Sequence, residues 1–381
     1  MISRNSLGNI YPIKKLGDVA DFLDSRRKPV KECDRIIGPY PYYGANGLQG
    51  WINDFLFDEN LILLAEDGGH FDNPDRGVAY KISGKTWVNN HAHVIKPKEG
   101  VDLDYLCRVL EHYDLTPWIT GTTRGKLTKG GASEILIPLP PLSEQRRIAS
   151  ILDQADELRQ KRQQAIEKLD QILQATFIDM FGDPVSNPKG WDLYKLSDLG
   201  SISTGNTPSR DDADNFGNYL EWIKSDNLNN DEDYATTATE YLSEKGAKKG
   251  RIVPEGSILV TCIAGSFDCI GNLAIVDRKV SFNQQINSIT PNDTVVLEFL
   301  YYLMKISKPI IQNASTNSMK GMISKSKFSE ILLPIPSKEK QIQFVELFKK
   351  LYGLKVSHKS YSNNAETLFK SLQNQAFNGT L

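Results

Sequence analysis

Three things are missing from this chain, and each absence narrows its function. No apolar run approaches the roughly 20 residues that a membrane helix needs, and the first residues lack the basic-then-apolar layout of a signal peptide. Cysteine is scarce. Cys33, Cys107, Cys262 and Cys269 are scattered along 381 residues and outline no disulfide framework, so the expectation is a reduced, cytoplasmic chain with no membrane partner. An excess of positive charge is missing too: the net charge is −2 and the pI about 6.3, so nucleic-acid binding would have to come from a local basic face.

Catalytic motifs are also absent. There is no Asn-Pro-Pro-Tyr/Phe or Asp-Pro-Pro-Tyr segment of an amino-methyltransferase and no glycine-rich cofactor loop after a strand. Gly84-Lys85-Thr86 looks like the end of a phosphate-binding loop, but Ala79 stands where the first glycine belongs. Glu66, Asp67, His70, His91 and His93 match no standard zinc spacing, and Cys262 and Cys269 are seven apart rather than two to four. Asp277-Arg278-Lys279 has the form of a nuclease fragment but is too short to carry weight. The sequence therefore predicts no enzyme, no metal and no cofactor in this chain.

What is present is a repeat. Ser133-Glu134-Ile135-Leu136 and Ile137-Pro138-Leu139-Pro140 return as Ser329-Glu330-Ile331-Leu332 and Leu333-Pro334-Ile335-Pro336, a shift of 196 (137 to 333). Lys15-Leu16-Gly17-Asp18-Val19 matches Lys195-Leu196-Ser197-Asp198-Leu199 at 180, and Val88-Asn89-Asn90-His91 matches Phe282-Asn283-Gln284-Gln285 at 194. The growing offset gives the second copy about 16 extra residues, mostly in the polar stretch from Ser209 to Glu240. Short apolar runs bounded by turn formers, Leu61 to Ala65 and Ser257 to Thr261, predict strands in both copies.

A long heptad pattern follows each copy. Ile148, Ala155, Arg162, Leu169 and Thr176 fall at a; Ile151, Leu158, Ala165 and Ile172 fall at d. In the second segment Phe344, Leu351, His358, Ala365 and Leu372 fall at a, and Leu347, Leu354, Tyr361 and Leu368 at d. Arg162 and His358 occupy the same polar slot. Ser143 can cap the first helix and Phe181-Gly182-Asp183-Pro184 can end it, giving a rod of about 58 Å at 1.5 Å per residue. The two helices are expected to pair through this seam and fix the spacing of the copies.

Basic and acidic clusters read as segregated. Arg26, Arg27, Lys28, Lys31 and Arg35 form one basic group, and Lys245, Lys248, Lys249 and Arg251 another. Acid concentrates in Asp211, Asp212, Asp214 and in Asp231, Glu232, Asp233.

The run from Ile137 to Ile148, Ile-Pro-Leu-Pro-Pro-Leu-Ser-Glu-Gln-Arg-Arg-Ile, resembles the opening of the long helix in type I restriction–modification specificity subunits. Met180-Phe181-Gly182-Asp183-Pro184 with Asn187-Pro188-Lys189-Gly190-Trp191 is similar to the start of that family's second recognition domain. Segments Tyr42 to Gly47, Leu64 to Gly69, Asn89 to His91, Gly256 to Leu259 and Phe282 to Gln284 resemble parts of its recognition domains. Ser337-Lys338-Glu339-Lys340-Gln341 departs from the Pro-Leu-x-Glu-Gln form.

The resemblance covers nearly the whole chain. It implies an α+β fold: two similar mixed α/β target-recognition domains, each followed by a long helix, with the helices pairing as an antiparallel coiled coil. The segments would be 1–142, 143–182, 183–338 and 339–381. It implies a non-catalytic subunit that reads an interrupted two-part motif in double-stranded DNA and docks two methyltransferase subunits and, through them, a restriction subunit. S-adenosylmethionine, ATP and Mg²⁺ would belong to those partners.

Base readers should be Asn, Gln, Arg and Lys on loops, with hydroxyl and other basic groups on phosphates. The expected residues are Tyr42, Tyr43, Asn46 and Gln49; Thr122, Thr123, Arg124, Lys126 and Lys129; Asn227, Asn229 and Asn230; and Ser315, Thr316, Asn317, Ser318 and Lys320. Two other functions compete with this one: a coiled-coil adaptor that binds only protein, and a methyltransferase or nuclease with a divergent site.

Overall fold

The computed structural model describes residues 10–71, 73, 76–111, 113–121, 125–229, 232–316 and 321–381, with Asn363 described by its backbone alone. The chain forms two compact units, residues up to Gln164 together with His358–Leu381, and residues Ala165–Ser357. Each unit holds one copy of the repeat with half of each long helix, so the units cut across the four chain-order segments.

In the first unit, Leu61–Ala65 runs at the middle of an antiparallel sheet ordered Ala20–Phe22, Ala92–Pro97, Leu61–Ala65, Ala79–Ile82. All five residues of that strand are buried. Ile62 and Leu64 face a core with the helix Leu103–Glu111, while Leu61 and Leu63 face a second core with Phe57, Val88 and Val94. Burial on both faces is why the strand is uniformly apolar rather than alternating. A second sheet, Gly47–Ile52, Tyr40–Gly44, Lys85–Val88 and Phe57–Asp58, covers that far side.

The other unit repeats this plan. Its sheet runs Gly200–Thr204, Ile286–Pro291, Ser257–Thr261, Leu273–Val276, with Ser257–Thr261 wholly buried between two cores. The registers superimpose: Ile62 opposite Ile95 becomes Ile258 opposite Ile289, and Ile13 opposite Pro138 becomes Leu193 opposite Pro334. The short strands Leu136–Pro138 and Leu332–Pro334 thus pair each with the start of its own module.

The long helices span Leu142–Phe181 and Lys338–Asn378. Gln145 is 1% exposed and fastens the first helix to its module: it accepts from the Asp102 N–H at 2.8 Å and donates to the carbonyls of Gly100 and Pro140 at 3.1 and 2.9 Å. Gln341 does the same, accepting from Val296 N–H at 2.9 Å and donating to Pro336 at 2.9 Å. The altered Ser337–Gln341 opening therefore keeps the one residue its geometry needs. Gly182 ends the first helix at φ 79°, where a Cβ would also meet Pro188 at 2.7 Å.

Within each unit the helices run antiparallel. In the first, Arg147 donates to the Leu381 carbonyl at 2.9 Å and Arg159 pairs with Glu366 at 2.9 Å, so partners descend as numbers climb. In the second, Phe177 packs on Phe344 at 5.2 Å and Asp170 meets Lys355 at 2.8 Å. Ion pairs tie each module to its helices. Arg108 reaches Asp153 and Asp156 at 2.7 and 3.1 Å; Asp233, inside the extra stretch of the second copy, reaches Lys305 at 2.7 Å and Lys355 at 3.6 Å. Burial opposes the charge on both Asp156 and Asp233, yet these cations hold the carboxyls below the usual range.

The heptad frame needs one correction. The a positions Ile148, Ala155, Arg162, Leu169, Phe344, Leu351 and His358 are buried or half-buried, but Leu158, Ile172, Leu354, Tyr361 and Leu368 at d are 43–57% exposed. Of the other d positions, Ile151 and Leu347 are half-buried. The partner of a in the seam is e: Leu152, Ile166, Leu173, Phe348, Phe369 and Ala376 are buried there. The 4-3 spacing is unchanged; only its frame moves, because Arg159 and Lys355 at e made that flank look polar. Leu152→Ala should therefore cost about 3 kcal/mol of stability and Leu158→Ala less than about 1 kcal/mol, measured by denaturant unfolding. Equal costs would restore the a/d frame.

Candidate nucleic-acid interface

Several expected reading residues gather in the first unit at the C-terminal end of Leu61–Ala65. Asn46, exposed at the tip of the hairpin Tyr40–Gly44 and Gly47–Ile52, donates to the Gly68 carbonyl at 2.9 Å. Gln49, also exposed, accepts from Asn89 Nδ2 at 3.0 Å. Lys126 lies on the two-residue strand Lys126–Leu127 and pairs with Glu66 at 3.1 Å. Lys129 opens the short helix Lys129–Ser133, which Thr128 caps, and its ammonium sits 5.7 Å over Phe22. Tyr43 is half-buried against Tyr80. Thr122, Thr123 and Arg124 lie outside the described residues.

Two expected residues belong to the scaffold instead. Tyr42 is 1% exposed; its hydroxyl accepts from Val30 N–H at 3.0 Å and donates to the Val30 carbonyl at 3.3 Å, and Arg35 covers its ring at 3.9 Å. Asn227 is buried as a local cap, accepting from Lys224 N–H at 3.0 Å and donating to Thr236 and Thr237. An aromatic pair and an Asn run look like reading groups in sequence, yet here the side chains satisfy their own backbone.

In the second unit, Asn229 is exposed and accepts from Asn272 at 2.7 Å. Ser315 and Thr316 are half-buried beside the strand Gly321–Met322, with Thr316 N–H donating to Met322 at 3.0 Å. Asn230, Asn317, Ser318 and Lys320 lie outside the described residues. The sequence reading missed Asn206, Thr207, Ser225, Gln284 and Gln285, which meet at the matching edge. Thr207 donates to Gln284, Ser225 to Gln285 at 3.3 Å, and Asn206 to the Lys249 carbonyl at 2.8 Å. The signal for Gln284 and Gln285 was in hand, because they occupy the Asn90 and His91 positions of the first copy.

The charge clusters are less segregated than the sequence suggests. Lys245 and Lys249 pair with Asp212 at 3.0 and 3.2 Å, and Arg210 and Lys224 share Glu240. These contacts, being exposed, contribute little stability but neutralise both clusters locally.

Three groups could suggest a metal: Asp24, Glu66 and His93 bring ligand atoms within 4.8 Å of one another. The same atoms are already engaged by the protein's own donors, with Arg27 on Glu66 at 2.6 Å, Lys126 on Glu66 at 3.1 Å and His93 on Asp24 at 2.7 Å. Asp67 instead pairs with His91, and His70 with Arg76. The set is a salt-bridge cluster by its donors.

Residues 11–168 and again 188–365 match the family model described as type I restriction modification DNA specificity domain. The chain belongs to that family. A Haemophilus influenzae chain assigned as a type I restriction enzyme specificity subunit, S.HindORF215P, is 28% identical over 90% of this chain and 87% of its own. The HindI specificity subunit of the same organism is 33% identical over 49% of this chain and 42% of its own. The crystal structure of a type I restriction–modification S subunit from M. genitalium superposes with a TM-score of 0.64 at 14% identity, covering 97% of both chains. A chain from a study of type I complex assembly and conformational transition gives 0.54 at 16% identity, over 98% of this chain and 99% of that one. Both share the α+β fold. Specificity subunits are non-catalytic members of their complexes, and among the described residues no helix is long and apolar enough to cross a membrane.

The placements of Tyr42 and Gln49 make a paired test. Tyr42→Phe should lower stability by about 1 kcal/mol, the value of its lost hydrogen bonds, and leave DNA discrimination intact. Gln49→Ala should do the reverse in a duplex-binding titration; an altered sequence preference in Tyr42→Phe would return that residue to the reading surface.

Proposed function

We propose that this chain is the cytoplasmic DNA-reading subunit of a type I complex, and that it recognises an interrupted two-part sequence, one half through each module. The observation that carries this reading is the repeat itself. Two superimposable modules keep the same sheet register, yet present different polar groups at the same edge: Asn46, Gln49 and Lys126 in one, Asn206, Gln284 and Gln285 in the other. Two linked readers gain affinity and specificity when their spacing matches the target, and the interval between half-sites then becomes a property of the paired helices.

The helices are also the proposed docking surface for two methyltransferase subunits and, through them, the restriction subunit. The exposed d positions support this. Leu158 and Leu368 in one unit, and Ile172 and Leu354 in the other, are exposed apolar side chains on the helices. S-adenosylmethionine, ATP and Mg²⁺ are assigned to those partners. The near-neutral charge implies weak binding by the isolated chain, so affinity should appear or strengthen with the methyltransferase and fall steeply with salt. A salt-independent complex, or none at all, would favour the protein-only adaptor.

Arg124→Ala should lower affinity for the cognate duplex by about 1–3 kcal/mol and relax discrimination at one half-site only. Competition titrations with duplexes altered in either half measure this. Unchanged affinity and preference would remove Arg124 from the interface.

A further inference from the structure

Each module buries one asparagine at the turn that leads into the polar edge, Asn89 in the first and Asn283 in the second. The backbone fixes both in the same way. Asn89 N–H donates to the Tyr43 carbonyl and Asn283 N–H to the Ile223 carbonyl, each at 3.0 Å. Asn89 Oδ1 accepts from the His91 N–H at 2.8 Å, and Asn283 Oδ1 from the Gln285 N–H at 3.1 Å. A backbone N–H can only donate, so the atom that meets it is the amide oxygen, and the Nδ2 of each asparagine is left for another partner.

That partner is a glutamine. Asn89 Nδ2 donates to Gln49 Oε1 at 3.0 Å, and Asn283 Nδ2 to Gln285 Oε1 at 2.9 Å. The glutamines come from different places, Gln49 from the strand Gly47–Ile52 and Gln285 from the turn itself. Because the asparagine holds the oxygen, each glutamine keeps its Nε2, and neither Nε2 has a partner among the described residues. Ser225 also donates to Gln285 Oε1, at 3.3 Å, taking the second lone pair of that oxygen.

The first module makes room for the pairing at Gly44. A Cβ there would stand 2.3 Å from Gln49 Nε2 and 2.8 Å from Asn89 Nδ2. The registers place Lys224 at that position in the second module, where the glutamine approaches from the turn instead.

We infer that Asn89 and Asn283 are positioning residues that set the polarity of base reading, holding Gln49 and Gln285 so that each offers an N–H donor to the DNA. This rests on the proposed reading role of that edge. The base that each glutamine meets must then present an acceptor. In the major groove guanine, adenine and thymine do so, through N7, O6 or O4, while cytosine offers only its N4 donor. Cytosine is therefore disfavoured at one position of each half-site.

Competition titrations with the methyltransferase complex test this, using duplexes in which each base pair of the motif is replaced in turn. Cytosine at one position in each half should weaken binding about tenfold, the value of one good base contact. Gln49→Glu puts an acceptor where the donor was, so the first half-site should come to favour cytosine there while the second is unchanged. Asn89→Asp keeps the oxygen that meets the His91 N–H but removes the donor, so the Gln49 amide turns over and the same reversal should follow. A merely structural role for this buried residue would instead lower affinity for all duplexes alike. Tolerance of cytosine throughout by the parent, or the parental preference retained in Gln49→Glu, would overturn the inference, and these two results decide it even if Asn89→Asp fails to fold. A complex that reads a two-part motif without these preferences overturns the inference alone; one that binds every duplex alike overturns the DNA-reading role as well.

Discussion

The burial of one strand on both faces organises everything else in each module. Leu61–Ala65 and Ser257–Thr261 have no solvent side, so each must be covered twice. One cover is the short helix together with the long helices; the other is the second sheet. The strand therefore joins the helical scaffold to the polar edge at its end. Glu66 and Cys262 are the first residues past it in the two modules.

That division explains how the copies could diverge. Register, short strands and the Gln145 and Gln341 clamps are repeated because the helices must meet each module in one way. The polar edge is under no such constraint. A His93–Asp24 contact in one copy and a Thr204–Asn287 hydrogen bond in the other occupy matching register positions by different chemistry. The extra residues of the second copy follow the same logic: they leave the sheet and return to it through Asp233, which anchors them between Lys305 and Lys355.

Much of this was legible in sequence, for physical reasons. Doubly buried strands are mostly apolar, and the 196-residue shift between Ile137–Pro140 and Leu333–Pro336 marks the repeat. The long helices were legible from their 4-3 apolar spacing. Their seam was not, because Leu158 and Leu354 are as apolar as Leu152 and Phe348, and the polar Arg159 and Lys355 sit on the buried flank. Tyr42 and Asn227 misled for the opposite reason: a polar atom in sequence does not say whether it faces water or its own backbone.

The most direct measurement is a genome-wide adenine-methylation map of the source cells with and without this chain, its methyltransferase partner being expressed in both. Loss of a single interrupted motif, both halves vanishing together, is the result that two linked readers require. A map that keeps every motif when the chain is removed would contradict the account at its centre.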